Sequence, residues 1–242
     1  MSKTFIVADC GINANGNIEV AKQQIDLAVA SGVDAVKFQV YSSEKLHGVN
    51  SPVYKDAKRG EFSYDHFRVL HDYCPIEWFA SGFDIGAIDL LDNIGVQRHK
   101  VASRSLTDWE LLKRINTSKK PVILSTGNYD TGAIKKALEL LKDCDVTLLY
   151  CIPNYPTKIS DLNFGRMTKL GELFKRPIGF SDHTTGVWAS IEAVRLGATV
   201  IEKHFTVSRS LQGCDQIVSL EPHELKLLIK SIRQLEAYQV EL

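Results

Sequence analysis

Gly179-Phe180-Ser181-Asp182-His183-Thr184 is followed roughly twenty residues later by Val200-Ile201-Glu202-Lys203-His204-Phe205-Thr206. In each stretch an apolar, strand-like run ends abruptly in polar and ionisable side chains. Charge at the end of a buried strand costs several kcal/mol unless a metal, a ligand or a partner residue compensates it. A helical stretch from Thr185 to Leu196 separates the runs, so they read as neighbouring parallel strands whose C-terminal ends open on one face. Two imidazoles converging there suggest a divalent metal.

The same alternation extends in both directions. Phe5 to Cys10, Ala35 to Val40, Trp78 to Ala80, His99 to Ala102, Pro121 to Leu124, Val146 to Cys151, Ile178 to Phe180 and Thr199 to Ile201 read as strands. Helical spacing marks Ile18 to Ala30, Tyr64 to Tyr73, Ile85 to Asn93, Asp108 to Ile115 with Thr107 as its cap, Gly132 to Leu141, and Pro222 through Leu235. Eight βα units, without a linker or a shift in composition, predict one α/β domain over residues 1–242, a (β/α)8 TIM barrel. A doubly wound open sheet is the alternative.

Composition narrows the function classes. The chain has 242 residues, 44% of them hydrophobic, enough to bury a large core. Its 29 basic and 29 acidic residues cancel, which leaves no electrostatic footprint for nucleic acid or an anionic membrane. Five cysteines, an odd number without a C-x-x-C pair, argue for reduced thiols in the cytoplasm. Met1-Ser-Lys-Thr runs straight into an apolar strand and no run reaches the length of a membrane span, so the expectation is a soluble cytoplasmic protein.

On a barrel, the polar residues just after each strand share one pocket. They are Asp9 and Asn13; Lys37 and Gln39; Ser81; Lys100, Ser103 and Arg104; Ser125-Thr126-Gly127; Tyr155; Ser181, Asp182 and His183; and Glu202, His204 and Asp215. Lysines supply point charge while hydroxyls and loop amides supply oriented donors, the combination a phosphate or carboxylate needs when it leaves water. Such a set has the makings of an anion site beside a metal.

The chain resembles the sialic acid synthases in ADCGINANG (8–16), DAVKFQ (34–39), KVAS (100–103), KPVILSTG (120–127), LLYC with NYPT, GFSDHT (179–184), IEKHFT (201–206) and SLEP (219–222). These strings occur in family order over nearly the whole chain. The resemblance implies a homodimeric transferase in which phosphoenolpyruvate condenses with the aldehyde of an open-chain N-acylated hexosamine, giving an α-keto sugar acid and phosphate. It further implies a divalent metal, usually manganese, on His183 and His204. Lys37, Lys100, Ser103, Ser125 and Ser181 would hold phosphoenolpyruvate, with Ser81 where the family has threonine. Asp215, Gln39 and Tyr155 match sugar-side positions. Asp9, Lys37, His204 and Asp215 are the expected catalytic groups, and Glu202, one strand period before His204, would act behind the metal.

Departures fall on the sugar side. Ala8-Asp9-Cys10-Gly11 stands where the family reads A-E-I-G, so a carboxylate survives one methylene shorter. Ser103-Arg104-Ser105 replaces Ser-Gly-Glu, which removes an acid and introduces a cation. GINHNG carries Ala14 here, STPF reads Ala80-Ser81-Gly82-Phe83, and the segment between Gln39 and Trp78 is shorter than usual. The chain also ends after its eighth helix, where most members continue into an antifreeze-protein-like domain.

Each assignment has a rival. The histidines could be structural, Lys37 a snorkelling edge lysine, Asp9 and Asp215 caps, and Arg104 one half of a surface ion pair. Cys10 reads as a third metal ligand or a core thiol. His47, His66, His71, His99 and His223 fall on expected loops or helix surfaces. At the level of function the rivals are a Schiff-base aldolase using Lys37 or Lys100, and a binding protein that has lost turnover.

Overall fold

The structure is a computed structural model that describes residues 3–238. Eight strands, β1 (Phe5–Gly11), β2 (Ala35–Val40), β3 (Glu77–Gly82), β4 (His99–Val101), β5 (Val122–Ser125), β6 (Val146–Tyr150), β7 (Ile178–Asp182) and β8 (Val200–His204), form a closed parallel barrel. Each strand pairs with the next in sequence, and β1 pairs with β8, so no sheet edge remains. This is the (β/α)8 barrel read from the sequence, and the open-sheet alternative is excluded.

The helices around it are α1 (Ile18–Ser31), α2 (Ser43–His47), α3 (Tyr54–Gly60), α4 (Tyr64–Tyr73), α5 (Ile85–Ile94), α6 (Trp109–Ser118), α7 (Thr131–Leu140), α8 (Phe164–Phe174), α9 (Trp188–Arg195) and α10 (Pro222–Tyr238). In α1, Ala21, Gln24, Ile25 and Ala28 recur at helical spacing and are buried. Asn17 caps its first turn and Gly32, at φ 91°, ends it.

Several elements depart from the sequence reading. Helices α2, α3 and α8 were not expected. Asp108, not Thr107, caps α6: its carboxylate accepts from the Leu111 N–H, whereas the Thr107 hydroxyl lies 3.4 Å from that of Tyr129. The helix expected from Thr185 begins only at Trp188, after Gly186 at φ 74°. His99 lies within β4, fully buried and bonded to Asp92, not on a surface.

Strand register sets the layer that matters for chemistry. Asp9 is level with Lys37 on one side and His204 on the other; Ser81 is level with both Gln39 and Lys100; Ser181 is level with Glu202. The register slips between Asp9 and Gly11, a bulge that leaves Cys10 facing the core and returns Gly11 to the barrel mouth. Cys10 is therefore a core thiol, and burial pushes its pKa up.

Candidate active site at the C-terminal mouth

Inward side chains from seven of the eight strands meet in a narrow cavity of about 60 Å³. A water needs roughly 10–15 Å³ on this measure, so the cavity admits only a few water-sized groups. Asp9, Lys37, Gln39, Ser81, Lys100, Ser103, Ser125, Tyr155, Ser181, His183, Glu202 and His204 all line it. Above it, an outer cleft of about 310 Å³ shares Gln39, Ser103 and Tyr155 and adds Arg104 and Asp215. Every residue given a catalytic, substrate or metal role from the sequence lies in one of these two spaces; Asn13, Thr126, Gly127 and Asp182, also expected at the pocket, line neither.

A buried charge network forms the floor. Lys37 Nζ lies 2.8 Å from Asp9 Oδ2 and 3.8 Å from Glu202 Oε2. Lys100 Nζ lies 3.6 Å from Glu202 Oε1 and donates to Ser125 Oγ at 2.8 Å. Ser181 Oγ donates to Glu202 Oε1 at 2.9 Å. At 2% exposure Lys37 is no snorkelling edge residue.

Burial alone would raise the Asp9 carboxyl pKa, but the Lys37 ammonium beside it holds it below the usual range. Burial likewise opposes the charged form of Lys37, and Asp9 and Glu202 overcome it, so its ammonium persists. Lys100 differs: burial and then Lys37 pull its pKa down against Glu202. Two ammoniums and two carboxylates sum to zero, so a polyanion entering this cavity needs further positive charge.

The imidazoles stand over this floor. His183 Nδ1 donates to the Ile152 carbonyl at 2.8 Å, which leaves Nε2 as the lone-pair nitrogen; it accepts from the Tyr155 hydroxyl at 2.9 Å. Burial, with His204 adding to it, lowers the His183 pKa to about 4, so the ring is neutral at physiological pH. His204 Nδ1 is buried without a hydrogen-bond partner, and Asp215 Oδ2 lies 3.8 Å away. Its Nε2 is 3.6 Å from Asp9 Oδ2. The two rings are 5.6 Å apart between centroids.

A neutral imidazole with a presented lone pair and a second with an orphaned buried nitrogen fit a divalent ion. Among the described residues no group of three or more His, Cys, Asp or Glu side chains is placed to hold a metal ion. The histidine pair suits an open site completed by water or substrate.

Two glycines make the geometry reachable. At Gly11, φ 49°, a Cβ would lie 3.3 Å from Gln39 Nε2 and 3.5 Å from both Asp215 Oδ2 and His204 Nδ1. At Gly127, φ 53°, a Cβ would come within 2.9 Å of Ser103 Cβ. A side chain at either position would crowd the site.

The sugar-side expectations are partly revised. Tyr155 stacks on His183 at 4.1 Å and meets His204 edge-on at 5.7 Å, so it touches the imidazole pair directly. Arg104 is exposed and donates to the Leu46 carbonyl at 2.9 Å, and among the described residues no carboxylate forms an ion pair with it. The surface ion-pair reading of Arg104 is thus overturned. Asn13 faces inward to structure instead: its amide donates to the Phe205 carbonyl and to Ser219 Oγ, pinning the loop after β8. Sequence reasoning missed Phe83 and Cys151 in the inner cavity and Leu46, His47 and Val53 in the outer cleft. Cys151 directly follows β6, a positional signal that was present; the cleft residues depend on the unexpected α2 and the loop that follows it.

Fold and site together are those of a (β/α)8-barrel enzyme. The chain belongs to the NeuB family, whose model matches residues 24–241. It is 36% identical to the N,N'-diacetyllegionaminic acid synthase of Campylobacter jejuni, over 98% of this chain and 77% of that protein. Against the human N-acetylneuraminate-9-phosphate synthase it is 33% identical, over 96% of this chain and 70% of that one. The crystal structure of a sialic acid synthetase from Leptospira borgpetersenii, in complex with citrate, superposes with a TM-score of 0.94 at 34% identity, covering 100% of this chain and 87% of that one. Among the described residues no helix is long and apolar enough to cross a membrane.

Proposed function

We propose that this protein condenses phosphoenolpyruvate with an open-chain amino sugar or related aldose, giving a nonulosonate-like α-keto sugar acid and phosphate, with manganese or a similar divalent ion on His183 and His204. The observation that carries this reading is the neutral lysine–carboxylate floor with its hydroxyl donors lying directly beneath two metal-competent imidazoles, in a chain of this family. C3 of phosphoenolpyruvate bonds to the aldehyde carbon, water adds at C2, and phosphate leaves by cleavage of the C2–O bond.

Lys37 and Lys100 pair with the phosphate and carboxylate, and Ser81, Ser103, Ser125 and Ser181 donate hydroxyl bonds to their oxygens. Asp9 and Asp215, on either side of His204, are placed to take or return the proton that the aldehyde oxygen and the water exchange. Gln39 and Tyr155, shared by cavity and cleft, orient the acceptor at the junction. The bound ion supplies electrophilic polarisation of the aldehyde.

For the acceptor we favour an aldose bearing a phosphate or carboxylate over neutral N-acetylmannosamine. The support is Arg104, a guanidinium without a carboxylate partner at the border of the outer cleft. Incubation with phosphoenolpyruvate, Mn2+ and a panel of amino sugars should release phosphate and keto acid in equal amounts with at least one acceptor. No phosphate from any acceptor would sink the proposal, and highest kcat/KM with N-acetylmannosamine, unchanged in Arg104→Gly, would sink the acceptor preference alone.

One observation favours a second reading: the lowered pKa of Lys100 suits a Schiff-base amine. Borohydride trapping with pyruvate separates the two, since the condensation forms no imine and should trap nothing.

A further inference from the structure

Behind the site, on the outer wall of the barrel, Asp182 of β7 and Lys203 of β8 face each other in register. They alternate with the inward pair Ser181 and Glu202 one step earlier and with His183 and His204 one step later. Their charged ends lie 3.2 Å apart with side chains entirely shielded from solvent.

The pair grips the backbone that follows His183. The Thr184 N–H donates to Asp182 Oδ1 at 2.8 Å, and Lys203 Nζ donates to the Thr184 carbonyl. Ser190, from α9, donates to Asp182 Oδ2 at 2.6 Å and fixes the carboxylate from outside. On its other side the His183 carbonyl accepts from the Thr157 N–H at 2.8 Å.

A well-packed apolar pair would fill the same space without the desolvation penalty of two buried charges. It could not hold both polar groups of Thr184. What the ion pair adds over apolar packing is therefore a fixed position for the residue after His183 relative to the strand that carries His204.

We propose that Asp182 and Lys203 are positioning residues that clamp the Thr184 backbone from the outer wall and so set the separation of the two imidazoles on the inner wall. The proposal rests on the reading of His183 and His204 as the metal-holding pair. Groups that orient metal ligands from behind typically affect metal affinity by roughly ten- to a hundredfold when removed.

The test compares Lys203→Met, Asp182→Asn and Lys203→Arg with Arg233→Met, which breaks an ion pair at the opposite end of the barrel. Titration of Mn2+ into the metal-free protein should show affinity about ten- to a hundredfold weaker in the first two, close to parental in Lys203→Arg, and unchanged in Arg233→Met. The imidazole NMR signals of His183 and His204, recorded without metal, should move in Lys203→Met and Asp182→Asn and stay in place in Arg233→Met. Parental Mn2+ affinity and unmoved imidazole signals, with a lower melting temperature as the sole change, would overturn the proposal. If the parent binds no Mn2+, the metal reading fails by itself and the imidazole signals still decide whether the clamp sets the spacing. Should Lys203→Met not fold, Asp182→Asn, which keeps the shape and removes the charge, carries the comparison.

Discussion

The two ends of this barrel use charge in opposite ways. At the N-terminal end Asp34 accepts from Arg233 and from the Ile6 N–H, Glu77 pairs with Arg98, and Asp92 gathers Lys120, Arg114 and His99. These ion pairs and hydrogen bonds tie strand starts to helix ends, and most of their side chains stay partly in contact with water. At the C-terminal end Asp9, Lys37, Lys100 and Glu202 have side chains only 3–6% exposed, yet Glu202 Oε2 and His204 Nδ1 have no hydrogen-bond partner. Buried polar atoms are normally satisfied; Trp78 Nε1 and His99 Nδ1 are orphaned at the lower end as well, but Glu202 and His204 line the cavity, where an arriving group can meet them. The lower end holds the barrel together and the upper end costs stability to do chemistry.

The largest expected effect comes from breaking the upper network on one side. Lys37→Met leaves Asp9 and Glu202 facing each other without their shared cation, and removing one partner of a buried pair costs about 3–5 kcal/mol. Urea denaturation should show that loss, and adding Asp9→Asn should restore part of it. A Lys37→Met protein as stable as the parent would mean that the floor is not electrostatically coupled.

The lower end should respond with stability alone. Arg233→Met removes charge-assisted bonds to Asp34, Glu236 and the Thr4 carbonyl, each of the kind worth about 1.5–3 kcal/mol. Stability should fall while kcat stays at the parental value; a fall in kcat would blur the division between the two ends.

His99 extends the contrast to pH. Burial, outweighing its contact with Asp92, holds the imidazole below its ordinary pKa. The folded protein thus refuses a proton that the unfolded chain accepts near pH 6.5, so stability is present above about that value and declines as pH falls below it. In His99→Gln the decline between about pH 7 and pH 5 should be shallower. An equal slope would assign the acid sensitivity to other groups.

The smallest effect concerns Tyr155, whose hydroxyl occupies the His183 lone pair. Tyr155→Phe removes a hydrogen bond worth about 0.5–1.5 kcal/mol that competes with the ion. Mn2+ should then bind roughly two- to tenfold more tightly, and weaker binding would show Tyr155 to be a helper of the metal and not its competitor.

All eight strands and the mouth residues were legible because barrel strands are short apolar runs ending in polar residues, and that pattern survives in Ile178–Asp182 and Val200–His204. Helix α8 was harder to see. Phe164, Met167 and Leu170 have helical spacing, but Gly165 and Gly171 dilute the helical signal, and its start depends on the Asn163 cap. Helices α2 and α3 are five and seven residues long, too short for periodicity to register. Their absence from the sequence reading explains why the outer cleft was missed. Thr107 and Asp108 are both good capping types, and only three-dimensional geometry chooses between adjacent candidates. The burial of His99 was implicit in its place at the start of a strand, and a focus on strand ends obscured it. The Asp182–Lys203 pair alternates with the histidines in both motifs, but sequence alone gives no sign that it grips Thr184.

The central claim is that the C-terminal mouth binds phosphoenolpyruvate through its buried cations. Lys100 tests it most directly, because its hydrogen bonds to Ser125 and the Val101 carbonyl leave the Asp9–Lys37 pair intact when it is removed. Calorimetric titration of phosphoenolpyruvate, in the presence of Mn2+, into the parent and Lys100→Met should show an affinity loss of roughly ten- to a hundredfold, the equivalent of one charge-assisted contact. Equal affinity in the two proteins would contradict the account.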